Sequence, residues 1–421
     1  MINNCVTNAC GVDFGTSNST VGWSHSGKPR MLELEGGKVT LPSVVFFNAE
    51  DDAVSFGRAA LADYLAGYEG RLMRSLKSLL GTSLIDGQTE VGGRALGFRD
   101  LLAQFIGELK RRAEQAAGRP FTQAVLGRPV FFVDEDANAD KLAESTLADI
   151  ARSVGFTDIA FQYEPIAAAF DYESQIDREE LVLVADIGGG TSDFSLVRLS
   201  PERAGKADRR DDILANGGVH IGGTDFDKYL SLSSVMPMLG LGTRLNNNNE
   251  VPSSYYFNLA TWHTINLVYT QKVWRELQDV SRDARERDKL RLLLSLIEQR
   301  DGHWLALQAE QGKIALSDAD ATELQLDRLE AGKKVGLTRS GFNAAVSHLA
   351  SNVGNTVASL LRDAGVAADA VDTVFFTGGS SGVPLLRQNI AALVPNARRV
   401  EGDLFGSIGA GLALDAERRF R

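Results

Sequence analysis

The chain has 421 residues, 44% of them hydrophobic and 24% charged, an ordinary globular composition that excludes a small disulfide scaffold and wholesale disorder and leaves room for several domains. Lysine and arginine number 44 against 55 aspartates and glutamates, a formal net charge of −11. An acidic surface disfavours nucleic acid and anionic membranes as partners, so any bound phosphate must be held by backbone amides, a metal or a few placed cations.

Both cysteines, Cys5 and Cys10, fall near the start, which rules out an extensive disulfide framework and fits a reducing compartment. Cys5 reads as a tail residue and Cys10 as a small apolar strand residue. Residues 1–9 lack the basic start and apolar run of a signal peptide. No stretch approaches the roughly 18–20 apolar residues of a membrane helix, so the expectation is a soluble, cytoplasmic protein.

In chain order, residues 12–14 and 21–23 read as two short strands of a hairpin, and 41–47 (LPSVVFF) as a buried strand. Helical spacing runs over 61–80 and 101–117. Residues 124–133 predict a strand and 139–154 a helix ended by Gly155. Residues 180–199 repeat the opening plan of strand (LVLVAD), glycine turn and strand (DFSLVRL). From 224 to 317 the pattern is mainly helical, with an Asn/Pro-rich loop at 246–252 before a long amphipathic run at 259–296. The charged run 282–289 reads as a solvated helix face. From Val374 a strand meets a third glycine turn, and two helices follow.

Glycine, at 42 residues, is enriched, and its clusters carry the chemistry. DFGTS at 13–17 and DIGGGTS at 186–192 each put an aspartate at a strand end, then glycine, threonine and serine, less than half the chain apart. That spacing fits a duplicated domain rather than a short repeat. Glycine turns let successive amides face one concavity, a nest suited to phosphate; three occur, at Gly15-Thr16-Ser17, Gly188-Gly189-Gly190-Thr191 and Gly378-Gly379-Ser380. The aspartates suit a divalent cation held through water. The G-x-x-x-x-G-K match at 22–28 is coincidental, since Pro29 replaces the magnesium-binding hydroxyl and Gly22 lies in a strand pattern. No G-x-G-x-x-G follows a strand, no G-x-S-x-G elbow occurs, and the five histidines show no metal spacing.

Taken in order, these residues resemble the actin-like ATPases, and within them the nucleotide-binding part of the DnaK-type heat-shock 70 chaperones. VDFGTSNS (12–19) is similar to that family's first phosphate hairpin, LKSLLGT (76–82) to its catalytic-lysine segment, and YEPIAAAFDY (163–172) to its metal-side glutamate helix. VADIGGGTSDFSLV (184–197) looks like its second hairpin, GGVHIGGTDFD (217–227) its following loop, and FFTGGSSGVP (375–384) its adenosine motif. FQYEPIAAAF looks most like the YegD-like members.

The resemblance implies an α/β, two-lobed fold of duplicated ribonuclease H-like domains with inserted subdomains. Lobe I would span 1–176, with an insert at about 41–109. Lobe II would span 177–421, with a mostly helical insert at about 226–317 and a C-terminal helix packing back towards lobe I. It implies ATP or ADP with Mg2+ as cofactor. Asp13 and Asp186 would hold the metal's water shell, and Lys77 would reach the terminal phosphate. Glu164 and Asp193 would orient water, and Thr16 and Thr191 would bond phosphate oxygens. Gly15, Ser17, Asn18, Gly188, Gly189, Gly190, Gly222 and Gly223 would complete the phosphate cradle. Glu310, Lys313, Ser317, Gly378, Gly379 and Ser380 would hold adenosine. Two departures stand out. Ile314 and Gly382 occupy the places of two base-sandwiching arginines, and no client-binding domain is expected after GLALDAERRFR. A slow, chaperone-type ATPase acting on an unidentified protein partner is the leading expectation. A non-hydrolysing nucleotide scaffold and a small-molecule kinase of the same superfold are the alternatives.

Overall fold

Strand Ala9–Phe14 is buried along its whole length because it runs inside a sheet, antiparallel to Asn18–His25 and parallel to Gln123–Arg128. The chain is described by a computed structural model covering residues 8–204, 206 and 209–420; Cys5 lies outside the described residues. The first sheet runs Asp158–Tyr163, Gln123–Arg128, Ala9–Phe14, Asn18–His25, Lys28–Met31, with Thr40–Pro42 also on Asn18–His25. A second sheet runs Ile213–Val219, Ser192–Leu199, Glu180–Ile187, Thr373–Thr377, Arg398–Glu401. Glu180–Ile187 stands in it as Ala9–Phe14 does in the first, antiparallel to the next strand and parallel to a later one. Two apolar strands, each with an aspartate near its end, thus play the same part in two like sheets, the pattern that the paired motifs predict.

By compactness the chain divides into two units. One comprises the residues up to Gly222, Asn352–Gly382 and the residues from Leu386 onward; the other comprises Gly223–Ser351 and Val383–Leu385. Both large sheets belong to the first. The second holds helices Gly223–Leu230, Ser254–Leu259, Gln271–Asp283, Arg287–Glu298 and Gly302–Asp318, and a hairpin of Ala321–Gln325 with Lys334–Thr338.

Several boundaries differ from the sequence pattern, each for a local reason. The expected helix at 61–80 is only Gly57–Ala66, stopped by Gly67 in the left-handed region at φ +88°. Gly70–Arg74 then pairs with Val44–Asn48 as a strand, so tertiary pairing overrides local apolar spacing. The strand expected at 41–47 breaks at Ser43, whose amide donates to the Ser17 carbonyl and whose hydroxyl donates to the Gly15 carbonyl. The strand expected at 124–133 ends at Arg128, since Pro129 has no N–H for the ladder. The run 282–289 is not one helix face: Ala284 is extended, buried and paired with Leu245 between two helices. Cys10 is buried in the apolar core, as expected, and burial raises its thiol pKa.

Helix Ser407–Arg419 packs against Ala9–Phe14, Asn18–His25, Lys28–Met31, Gln123–Arg128 and helix Glu164–Glu173, and small residues allow the approach. A Cβ on Gly411 would lie 1.7 Å from the Ala167 carbonyl oxygen, and one on Gly22 would lie 2.6 Å from the Gly409 oxygen. Two carboxylates go in with the helix. Glu417 accepts from the Ser24 hydroxyl at 2.6 Å and the Gly27 amide at 3.0 Å, and Asp415 accepts from Gln162 and Arg419. Gly411→Ala therefore forces the two backbones apart and should cost about 2–3 kcal/mol. Gly354→Ala, in a helix with nothing within 4 Å of the added carbon, should be neutral or stabilise by about 0.5–1 kcal/mol. Urea midpoints of the two variants check the contrast.

Candidate functional site

The glycine turns meet inside the first unit. A Cβ on Gly189 would sit 2.3 Å from the Ser17 hydroxyl, and one on Gly190 would sit 2.8 Å from the Thr16 hydroxyl. The first turn thus lies face to face with the second. Gly15 is fixed by its own turn, since a Cβ there would meet the Asn18 carbonyl oxygen at 2.1 Å. The second turn is closed by the Gly188 amide donating to the Thr191 carbonyl at 2.9 Å. Gly222 backs it, 2.6 Å from the Gly189–Gly190 backbone by the same measure. The third turn joins here too: Gly378, at φ +79°, leaves room for Asp186, whose Oδ1 would be 2.5 Å from a Cβ at that position. Ser380 is buried beside it, and Gly379 lies under the Phe405 ring.

Beneath the turns, Asp13, Lys77, Glu164, Asp186 and Asp193 are all buried. Lys77 Nζ donates to Glu164 Oε1, and Glu164 opens helix Glu164–Glu173 with Pro165 in its first turn, where the helix dipole favours a carboxylate. Asp186 faces Asp193 across the second hairpin. Asp193 Oδ1 accepts the Val130 amide at 2.7 Å, and among the described residues Asp186 Oδ1 has no hydrogen-bond partner. Burial, then the Glu164 charge, pushes Asp13 up to about 7 against the pull of Lys77. Burial and Glu164 likewise raise Asp193 to about 7, opposed by the Thr191 hydroxyl and the Val130 amide. Asp186 is pushed well above the usual range by burial and by Glu164, Asp193 and Asp13. Burial pulls Lys77 down, but Glu164 and Asp13 together raise it.

Four carboxylates sharing one lysine form a set short of positive charge. That donor chemistry, with the orphaned Asp186 oxygen, fits a divalent cation. Among the described residues no three His, Cys, Asp or Glu side chains are arranged to hold a metal ion, so direct ligation is not what the geometry offers. Water-mediated contact from Asp13 and Asp186 remains, and magnesium, which keeps much of its hydration, suits it.

A cavity of about 270 Å³ opens beside Lys77, lined by Thr16, Gly190 and Thr191 together with Leu80, Pro129, Phe132 and Val133. Asp134 and His220 also line it, and Asp134 accepts from the His220 amide at 3.0 Å and from its Nδ1 at 2.9 Å. The 128–134 segment was invisible to motif reading. Its signal is an arginine and a proline ending an apolar strand, where nothing local calls for a charge.

Glu310, Lys313 and Ser317 lie on helix Gly302–Asp318 and, with Gly223, belong to the second unit. There Lys313 is buried, bonded to Asp227 at 2.8 Å and to the Gly223 carbonyl at 3.1 Å. Ser317 donates back to the Lys313 carbonyl at 3.4 Å.

One hairpin from each of two like sheets, turned together over buried carboxylates and a lysine, is the arrangement of the actin-like ATPase fold. Within that fold the chain belongs to the Hsp70 family: the family model described as Hsp70 protein matches residues 9–235 and 297–414. Chaperone protein HscA from Citrobacter koseri is 28% identical over 97% of this chain and 58% of its own length. HscA from Klebsiella pneumoniae and from Escherichia coli are each 27% identical with the same coverage. The chain thus spans somewhat over half the length of the relatives it matches. Hsp70 proteins bind ATP or ADP with magnesium. Among the described residues no helix is long and apolar enough to cross a membrane.

The raised acids make stability depend on pH with a definite sign. Asp13 and Asp193 hold protons in the folded state that the unfolded chain gives up near 4, so folding is favoured at low pH and loses that favour as pH rises to about 7. Without metal and nucleotide, the melting temperature should fall between pH 5 and 7.5. Asp13→Asn should flatten the fall, and millimolar magnesium should reduce it. Scanning fluorimetry across that range, with and without chelator, reads all three.

Proposed function

We propose that the chain is an ATP-binding, slow, magnesium-dependent ATPase of heat-shock chaperone type, whose nucleotide cycle changes its shape for a protein partner in the cytoplasm. The observation that carries this reading is Lys77, buried among Asp13, Glu164 and Asp193 where the two phosphate turns meet. The amides of both turns, with the Thr16 and Thr191 hydroxyls, would hold phosphate oxygens, and Lys77 would offset their charge as a point cation. Asp193 and Glu164 would orient a water for attack on the terminal phosphorus. The bond to the bridging oxygen breaks, ADP keeps that oxygen, and inorganic phosphate carries the water's. Hydrolysis of this kind needs positioning and charge stabilisation more than covalent chemistry. Magnesium, when bound through the water shells of Asp13 and Asp186, would neutralise phosphate charge.

The base end is expected to be weak. Ile314 is half exposed and Gly382 has no side chain, where family members carry arginines; each lost stacking contact is worth about 0.5–2 kcal/mol. Calorimetric titration should therefore find ATP and GTP bound within about tenfold of each other. Tight, adenine-selective binding would contradict this.

Single-turnover hydrolysis tests the enzyme reading. Lys77→Ala and Asp186→Asn should each slow phosphate release at least a hundredfold while nucleotide still binds. No turnover by the wild type would leave a nucleotide-binding scaffold, and stimulation by a sugar or carboxylic acid would point to a kinase.

A further inference from the structure

We propose that Arg128 is a positioning residue for the hydrolytic centre, setting both Asp193 and Glu164 without touching the nucleotide. This rests on the ATPase reading above. Arg128 ends strand Gln123–Arg128 with its side chain almost fully buried. Its guanidinium is committed to its own neighbourhood. Nε donates to the Pro129 carbonyl at 3.0 Å, and Nη2 donates to the Val130 carbonyl at 3.2 Å and to both Asp140 oxygens, at 2.9 and 2.7 Å. Nη1 donates to Glu144.

The bond to Pro129 is the informative one. The Pro129 carbonyl and the Val130 N–H are two ends of one peptide unit, and that unit is planar and trans. Pinning the oxygen therefore fixes the direction of the N–H, and this N–H is the one that donates to Asp193 Oδ1 at 2.7 Å. Polarising the carbonyl also strengthens the amide as a donor. The same guanidinium lies over the Tyr163 ring at 5.2 Å. Tyr163 is its cross-strand partner and the residue from which Glu164 starts its helix. Across the cluster it lies 5.1 Å from the Phe132 ring, which walls the cavity beside Lys77. One planar fork thus holds the donor to one water-orienting carboxylate and the residue preceding the other.

Lysine keeps the charge but cannot hold a carbonyl, a carboxylate and a ring at once. Arg128→Lys and Arg128→Met should therefore both lower single-turnover hydrolysis ten- to a hundredfold, since small misplacements at a reacting centre cost that much. The ADP dissociation constant by titration calorimetry should stay within threefold of wild type. The lysine variant keeps the counter-charge for Asp140 and Glu144, so it remains informative if the methionine variant does not fold. Wild-type turnover in Arg128→Lys would overturn the proposal by showing that charge alone suffices. Parallel loss of ADP affinity would overturn it by placing the effect on binding. A wild-type protein without turnover defeats the ATPase reading itself, and this role with it, which keeps the two failures apart.

Discussion

Everything in the first unit is organised around one electrostatic constraint: Asp13, Glu164, Asp186 and Asp193 are buried together with Lys77 as the cation they share. Burying an ionised carboxylate without compensation is among the costliest things a fold can do. The surrounding structure reads as a set of answers to it. Glu164 sits at a helix N-terminus and on Lys77, Asp193 takes a backbone amide, and Asp186 is left space by a glycine. The raised pKa values of Asp13, Asp186 and Asp193 follow first from burial and then from the neighbouring carboxylates. A fold optimised for stability alone would replace such a cluster with apolar side chains. A cation, with a polyanion beside it, is the kind of ligand that would supply the charge such a cluster lacks.

Much of this was legible in the sequence because the determinants are local. A strand-terminal aspartate followed by glycine, threonine and serine specifies its own turn, and the pairing of two such turns follows from duplication. The lysine and the glutamate were legible only through resemblance, since a lysine in LKSLL and a glutamate before a proline have ordinary solvated explanations by themselves. What remained hidden is what depends on distant partners. Gly70–Arg74 is a strand only because Val44–Asn48 is beside it, and Ala284 leaves the helix because Leu245 claims it. Arg128 looks like a stray charge until Pro129, Asp140 and Tyr163 are assembled about it.

The second unit illustrates how an expected ligand contact can also be a structural one. Lys313 satisfies Asp227 and the start of helix Gly223–Leu230, so its first duty is to the packing of that unit. The family match leaves out residues 236–296, and this is also where the Asn-rich loop and the broken helical run lie. The chain's departure from the family pattern is therefore concentrated within its second unit.

The C-terminal helix has a consequence for how the molecule is made. Glu417 reaches back to Ser24 across 393 positions, and the faces of Ala9–Phe14 and Asn18–His25 that it covers are lined with glycines shaped for it. At ribosomal speeds of roughly 5–20 residues per second, those early strands wait on the order of tens of seconds for their cover. Until Ser407–Arg419 has emerged, the first sheet cannot bury the face that this helix covers.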